Sequence, residues 1–272
     1  MTNEKECFNQ PAKENLGLNA ASLGIYKGIV FINPDKLPVD DFTTWIANMD
    51  DETWPHSFTD GSMRYSGTMS YEMHCNWKIF YENAIDGYHL GYLHDNTLGK
   101  LYPDRNIWKP VGRNVVWYST EREGEPQAKT VLSEQIAERS SVIALEGHEN
   151  PTYPGVVMLF PLTIVSPSPW GMYISVLEPV SPEITNMRVY SWTPDGVSGG
   201  MMAEDTQPVR LIDLEGHPLE SGNFQIEDMW IVEKIQRNIR SPYFKIGPLA
   251  KGDGAEGPIT HFQDNLLEFV PL

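Results

Sequence analysis

Between Asn76 and His94 the chain reads Asn76-Trp77-Lys78, Glu82-Asn83, Asp86-Gly87-Tyr88-His89 and then His94. Two imidazoles and a carboxylate so close together, behind an apolar run, restrict the backbone that can carry them. Residues five apart on an ideal helix point about 140° apart, because each residue turns the chain by about 100°. His89 and His94 therefore cannot reach one point from an unbroken helix. Gly91 lies between them and can end or distort one. Asp86 precedes His89 by three residues, which on a helix puts both on one face. There the carboxylate can accept a hydrogen bond from a ring nitrogen of His89 and fix its tautomer.

As chemistry this is half of a possible metal site. Neutral imidazole suits iron, zinc, copper and nickel, and two histidines with one carboxylate is the open-sided arrangement of non-heme Fe(II) oxygenases. The spacing alone is also that of ordinary polar residues near a helix end. The flanking residues are more specific. Asn76-Trp77-Lys78, Glu82-Asn83, Asp86, Tyr88-His89 and His94 together resemble the mononuclear-iron motif of Rieske non-heme iron oxygenases, the large subunits of ring-hydroxylating dioxygenases and related monooxygenases. The resemblance implies that His89 and His94 are iron ligands. It implies that Asp86 is the carboxylate through which electrons arrive from a Rieske centre on a neighbouring subunit, and it gives Asn83 a supporting catalytic role. Ala84, Gly87 and Leu90 flank these residues and read either as substrate-pocket walls or as helix packing.

The other half of the site comes from far along the chain. Ile226 to Ile239 has helical spacing, with Ile226, Trp230, Ile231, Ile235 and Ile239 inward and Glu233, Lys234 and Arg237 outward. Glu227-Asp228 falls in its first turn, where acids complement the helix dipole. Glu227-Asp228, Glu233, Gln236-Arg237 and Ser241-Pro242-Tyr243 also resemble the family's C-terminal segment. By that resemblance Asp228 is the third iron ligand, with Glu227 the fallback one residue away.

The family resemblance implies an α+β fold of helix-grip (START/Bet v1-like) type, a curved antiparallel sheet packed over a long C-terminal helix. Residues 1–23 read as a polar N-terminal arm and 24–272 as the mononuclear iron catalytic domain. Ile25 to Asn33 reads as one strand, the strand that follows the Rieske domain in full-length relatives. A Rieske [2Fe–2S] cluster needs two cysteines and two histidines. Here Cys7 stands alone and no histidine precedes His56, so no cluster is expected in this chain.

Further readings place a short helix over residues 39–50 and one or two strands over Ser62 to Met73. A helix is expected from Trp77 to about Tyr88, a loop over residues 95–112, a strand over Arg113 to Thr120, and a helix from Thr130 to Leu145. Strand-like runs follow over Gly155 to Val165, Gly171 to Val180 and Asn186 to Trp192, and a short closing helix over Ile259 to Phe269. Successive strands with short connections imply an antiparallel sheet. His56, His74, His148, His217 and His261 carry no motif and read as structural.

A formal net charge of −17 argues against nucleic acid and anionic membranes as partners, since both need basic footprints. There is no membrane-length apolar run and no signal-peptide core, which makes cytoplasmic the default. The implied activity is oxygenation of an organic, typically aromatic, substrate at a mononuclear Fe(II). Electrons would come from a reductase and a Rieske ferredoxin-type protein or subunit, within a trimer-based homo- or hetero-oligomer. Two other classes remain open at this stage: a metal-free or inactive helix-grip module for an apolar small molecule, and a zinc hydrolase, which lacks the His-Glu-x-x-His helix.

Overall fold

The computed structural model describes residues 17–35, 37–51, 58–95, 97, 107–119, 153–168, 171–194, 196, 207–213, 216–251 and 256–270. The expected helix from Thr130 to Leu145 lies outside these residues.

Strands β1 (Ser22–Tyr26) and β2 (Ile29–Asn33) pair as a hairpin. The single strand expected over Ile25–Asn33 is thus two half-strands. Lys27 and Gly28 take positive φ of 46° and 88° and form the two-residue turn between them. The main sheet has seven strands, all antiparallel, in the order β3-β9-β8-β7-β6-β5-β4. They are β3 (Arg64–Met73), β4 (Ile107–Val111), β5 (Asn114–Ser119), β6 (Tyr153–Leu159), β7 (Thr163–Ser168), β8 (Gly171–Ser181) and β9 (Ile184–Thr193). β4 falls in the segment read as a loop. Pro110 is tolerated there because β4 is an edge strand, where a missing N–H breaks no ladder. The long run from Gly155 to Val165 is split into β6 and β7 by a turn at Phe160–Leu162.

Both faces of this sheet are covered, and neighbouring residues along each strand go to opposite sides. Val115, Met158, Ile164, Met187 and Val189 join Met69, Tyr71 and Met73 in one core. Val116, Val157, Leu159 and Val165 join Tyr26, Ile46 and Met49 in a second. That is why residues 156–165, Thr163 apart, are apolar instead of alternating. The first core is closed by α2 (Trp77–Ile85), α4 (Phe224–Asn238) and α5 (Gly257–Leu267), whose Tyr81, Met229 and Phe262 are each 1 % exposed. The second core is closed by the β1–β2 hairpin and the short α1 (Phe42–Ile46), with the Tyr26 hydroxyl donating to the Met49 carbonyl at 2.9 Å.

α4 is rotated relative to the expected register. Its buried face is Ile226, Glu227, Met229, Val232, Glu233 and Gln236, while Ile235 and Ile239 are exposed. Glu233 turns inward because it has buried partners. Its Oε1 accepts from the His74 backbone N–H at 2.8 Å and from Arg210 at 2.9 Å. Gln236, one turn on, accepts from the Asn76 backbone N–H at 2.8 Å. The motif residues Glu233 and Gln236 thus brace the segment that leads into α2. No helix among the described residues is long and apolar enough to cross a membrane.

Candidate metal centre

Asn76 starts α2. Its Oδ1 accepts from the Lys78 N–H at 3.1 Å, satisfying a donor the helix leaves free, and its Nδ2 donates to the Pro182 carbonyl at 2.8 Å. On the inner side of α2, Trp77 and Tyr81 pack against Phe262 of α5, the Tyr81 ring stacked at 4.2 Å. The helix is fixed at its start and along its buried face, so its last turn delivers Asn83 and Asp86 to a defined place.

α2 stops at Ile85, three residues sooner than the apolar spacing suggests. Asp86 is extended (φ −85°, ψ 118°), and its Oδ1 accepts from the Tyr88 N–H at 2.6 Å. One further helical turn, α3 (Leu90–Leu93), follows, with His89 as its N-cap and His94 as its C-cap. The break that frees the two histidines is therefore before His89. Gly91, the expected breaker, lies inside α3. With the rings at the two ends of one turn, their centroids are 5.2 Å apart.

Asp228, in the first turns of α4, meets both rings. Its Oδ1 lies 3.0 Å from His94 Nε2 and 3.6 Å from His89 Nε2, and it accepts from Asn83 Nδ2 at 2.8 Å. One donor atom from each of His89, His94 and Asp228 falls within 4.8 Å of the others. Atoms bound about 2.1 Å from one ion at right angles lie about 3 Å apart, so this donor set fits a first-row divalent metal. Each ring's other nitrogen meets its own carboxylate. His89 Nδ1 is 3.1 Å from Asp86 Oδ2, and His94 Nδ1 is 2.6 Å from Glu227 Oε2. The fallback ligand thus stands behind His94, on the side of the ring away from Asp228.

The charges reinforce one another. Burial pushes the His89 imidazolium down, but Asp228 and Asp86 outweigh it and hold that group up at about 9. For His94 burial also acts downward and Asp228 and Glu227 prevail, raising it. Burial pushes the Asp228 carboxyl up, yet hydrogen bonds from His89 and His94 hold it down at about 2. The imidazoles and Asp228 thus favour each other's charged forms, and a metal competes with protons for the same donor atoms.

Asp86 and His89 also reach a groove of about 840 Å³, whose other walls include Asn83, Tyr92, Ile231 and Glu256. Of the residues read as possible pocket walls, Ala84 packs against the core, and Gly87 and Leu90 are buried. Sequence reasoning did not single out Thr97, whose hydroxyl donates to Glu227 Oε2 at 2.6 Å. Nothing in its local sequence marks it. His74 pairs with Glu72, His217 caps a short 3-10 helix at Pro218–Glu220, and His261 pairs with Asn265, all away from this centre.

Residues 61–271 match the family model described as the ring hydroxylating alpha subunit (catalytic domain). The large subunit of 2-halobenzoate 1,2-dioxygenase from Burkholderia cepacia is 32% identical over 92% of this chain and 56% of its own length. Chloroplastic choline monooxygenase of Amaranthus tricolor is 22% identical over 88% of this chain and 50% of its own. The chain thus spans about half the length of these curated relatives. Among solved structures, the quaternary ammonium Rieske monooxygenase CntA superposes with a TM-score of 0.67 at 16% identity, covering 99% of this chain and 66% of that one. The mixed α/β architecture with its large antiparallel sheet is that of Rieske oxygenase catalytic domains.

Proposed function

This chain belongs to the ring-hydroxylating alpha subunit (catalytic domain) family, and from that premise we propose that it is the catalytic component of a Rieske-type oxygenase. Residues 24–272 form the catalytic unit, residues 1–23 an arm, and the architecture is a helix-grip in which α4 lies under the sheet. His89, His94 and Asp228 hold one Fe(II). That ion, when bound, would supply O2 activation for mono- or dioxygenation of an organic substrate of the aromatic class. The observation that carries the reading is Asp228 Oδ1 facing both Nε2 atoms while each Nδ1 is held by a separate carboxylate.

The protein's own residues do the arranging. Asp86 fixes the His89 ring and, lining the groove, connects it to a Rieske centre on another domain or chain. Asn83 holds the Asp228 carboxylate by its Oδ1. Ala84, Gly87 and Leu90, the buried or half-buried neighbours of the ligands, are assigned to the substrate side. The partners are a Rieske ferredoxin-type protein or domain and a reductase, within a trimer-based assembly in the cytoplasm.

The test is anaerobic loading of the metal-free protein with Fe(II), followed by single turnover with a reduced Rieske protein and aromatic acids or quaternary amines as substrates. One iron per chain and oxygenated product are expected. No stoichiometric iron after loading would replace this reading with a metal-free binding module.

A further inference from the structure

Glu227 does more than complement a helix dipole. An acid in the first turn of a helix can serve that purpose from the surface. Glu227 is 1 % exposed, and burying a carboxylate is costly unless hydrogen bonds compensate. Two donors converge on a single oxygen, Oε2: His94 Nδ1 and Thr97 Oγ1, each at 2.6 Å. Both donor residues are fully buried. The backbone locks them together, since the Thr97 N–H donates to the His94 carbonyl at 2.9 Å and the His94 N–H to the Leu90 carbonyl at 3.1 Å. Phe224 closes the site edge-on to the His94 ring, at 6.4 Å between centroids.

The two histidines are therefore held unequally. The Asp86 side chain, behind His89, is 16% exposed and sits 3.1 Å from Nδ1, whereas the Glu227 side chain is 2% exposed and sits at 2.6 Å. Asp86 faces a groove and water. Glu227 faces protein on every side described.

We infer that Glu227, locked in place by Thr97, is a positioning residue that keeps the proton of His94 on Nδ1 and turns its Nε2 lone pair toward the metal. This rests on the metal-site reading above and deepens it. A carboxylate behind a ligating imidazole fixes its tautomer and raises its donor strength. Because this one is sealed from solvent, His94 is the anchoring ligand of the pair, and His89 is the one whose supporting carboxylate communicates with the surface.

The test uses Zn(II) and Co(II) alone, titrated into the metal-free 272-residue chain and its Glu227→Ala, Glu227→Gln and Thr97→Val variants. Circular dichroism checks the fold of each. Affinity is expected to fall about 10- to 100-fold in Glu227→Ala. Glu227→Gln should recover part of the loss, because an amide oxygen still accepts from Nδ1, and Thr97→Val should lose a smaller factor. A second readout is independent of affinity. In the Zn(II)-loaded wild type, long-range proton–nitrogen NMR of labelled histidine should show His94 protonated at Nδ1 and metal-bound at Nε2. Variants that bind as tightly as wild type, or a wild-type His94 bound through Nδ1, overturn the inference and leave the metal site standing. If Glu227→Ala does not fold, the Gln and Val variants and the wild-type spectrum decide. A wild type that takes up neither metal overturns the underlying site and this inference with it.

Discussion

Asn83 and Asp228, 145 positions apart, share a hydrogen bond of 2.8 Å from the side-chain amide to Oδ1. The same oxygen faces both imidazoles, so Asn83 determines which way the carboxylate turns. Asn83→Ala is expected to leave the fold unchanged and weaken Fe(II) or Co(II) binding about tenfold, the low end for losing a group that orients a ligand. Anaerobic titration followed by visible absorption of the Co(II) form measures it. Asn83→Asp should weaken binding more at neutral pH, because its added carboxylate cannot donate to Oδ1.

Asp228→Asn should abolish one-to-one metal uptake, since an amide is a poor third ligand and leaves two imidazoles without their shared carboxylate. Equilibrium dialysis with metal analysis reads the outcome directly. Retention of one tight metal per chain would mean that the carboxylate is not a ligand.

Glu233 joins Arg210, by 2.9 and 3.2 Å contacts, to the backbone N–H of His74. Removing one partner of a buried pair strands the others, so Glu233→Ala is expected to cost about 3 kcal/mol, at the lower end because the Arg210 side chain is 20% exposed. The shift of the urea midpoint at constant slope measures it. Metal binding should survive in the folded fraction, which distinguishes this brace from the centre.

Phe262 is 1 % exposed and stacks on Tyr81 while meeting Trp77 edge-on at 5.9 Å. Truncation opens a cavity between α2, α5 and the sheet. Phe262→Ala is expected to destabilise by about 3–5 kcal/mol, read by chemical denaturation. Phe262→Leu should cost clearly less.

Cys75 is fully buried, and burial, helped by Glu233, pushes its thiol up to about 12. At pH 8 it is protonated and shielded. Iodoacetamide should leave the Cys75 peptide unmodified in native protein and label it fully in denaturant, as mass spectrometry would show. Native labelling at the rate of a free thiol would contradict the burial.

The candidate metal ligands were legible because the residues around them resemble a family motif at fixed offsets. His89, His94 and, by the resemblance, Asp228 could be named from the Asn76–His94 string and the Glu227-Asp228 pair before any fold was known, with Glu227 left as the alternative to Asp228. Extended and helical runs were also legible where one periodicity dominated, as in α2, α4, β8 and β9, whereas the apolar run that became β6 and β7 read as one strand. Boundaries were not. The hairpin turn at Lys27-Gly28 and the edge strand β4 were missed because apolar content does not mark where a strand reverses or tolerates proline. The inward turn of Glu233 was missed because hydrophobic periodicity assigns a charge to solvent, and only the partners Arg210 and His74 reverse that.

Local sequence thus determined which donors the chain owns and the helical or extended habit of the segments that carry them. Tertiary structure decided which atom meets which. Glu227 and Asp228 are adjacent in the chain, and nothing local says which one faces the Nε2 atoms. The rotation of α4, set by the burial of Ile226, Met229 and Val232 and by the bonds of Glu233 and Gln236, turns Asp228 toward the space between the rings and Glu227 to the back of His94. Packing energy is summed over a whole helix face, so the direction of one carboxylate depends on contacts well over a hundred residues away in the chain.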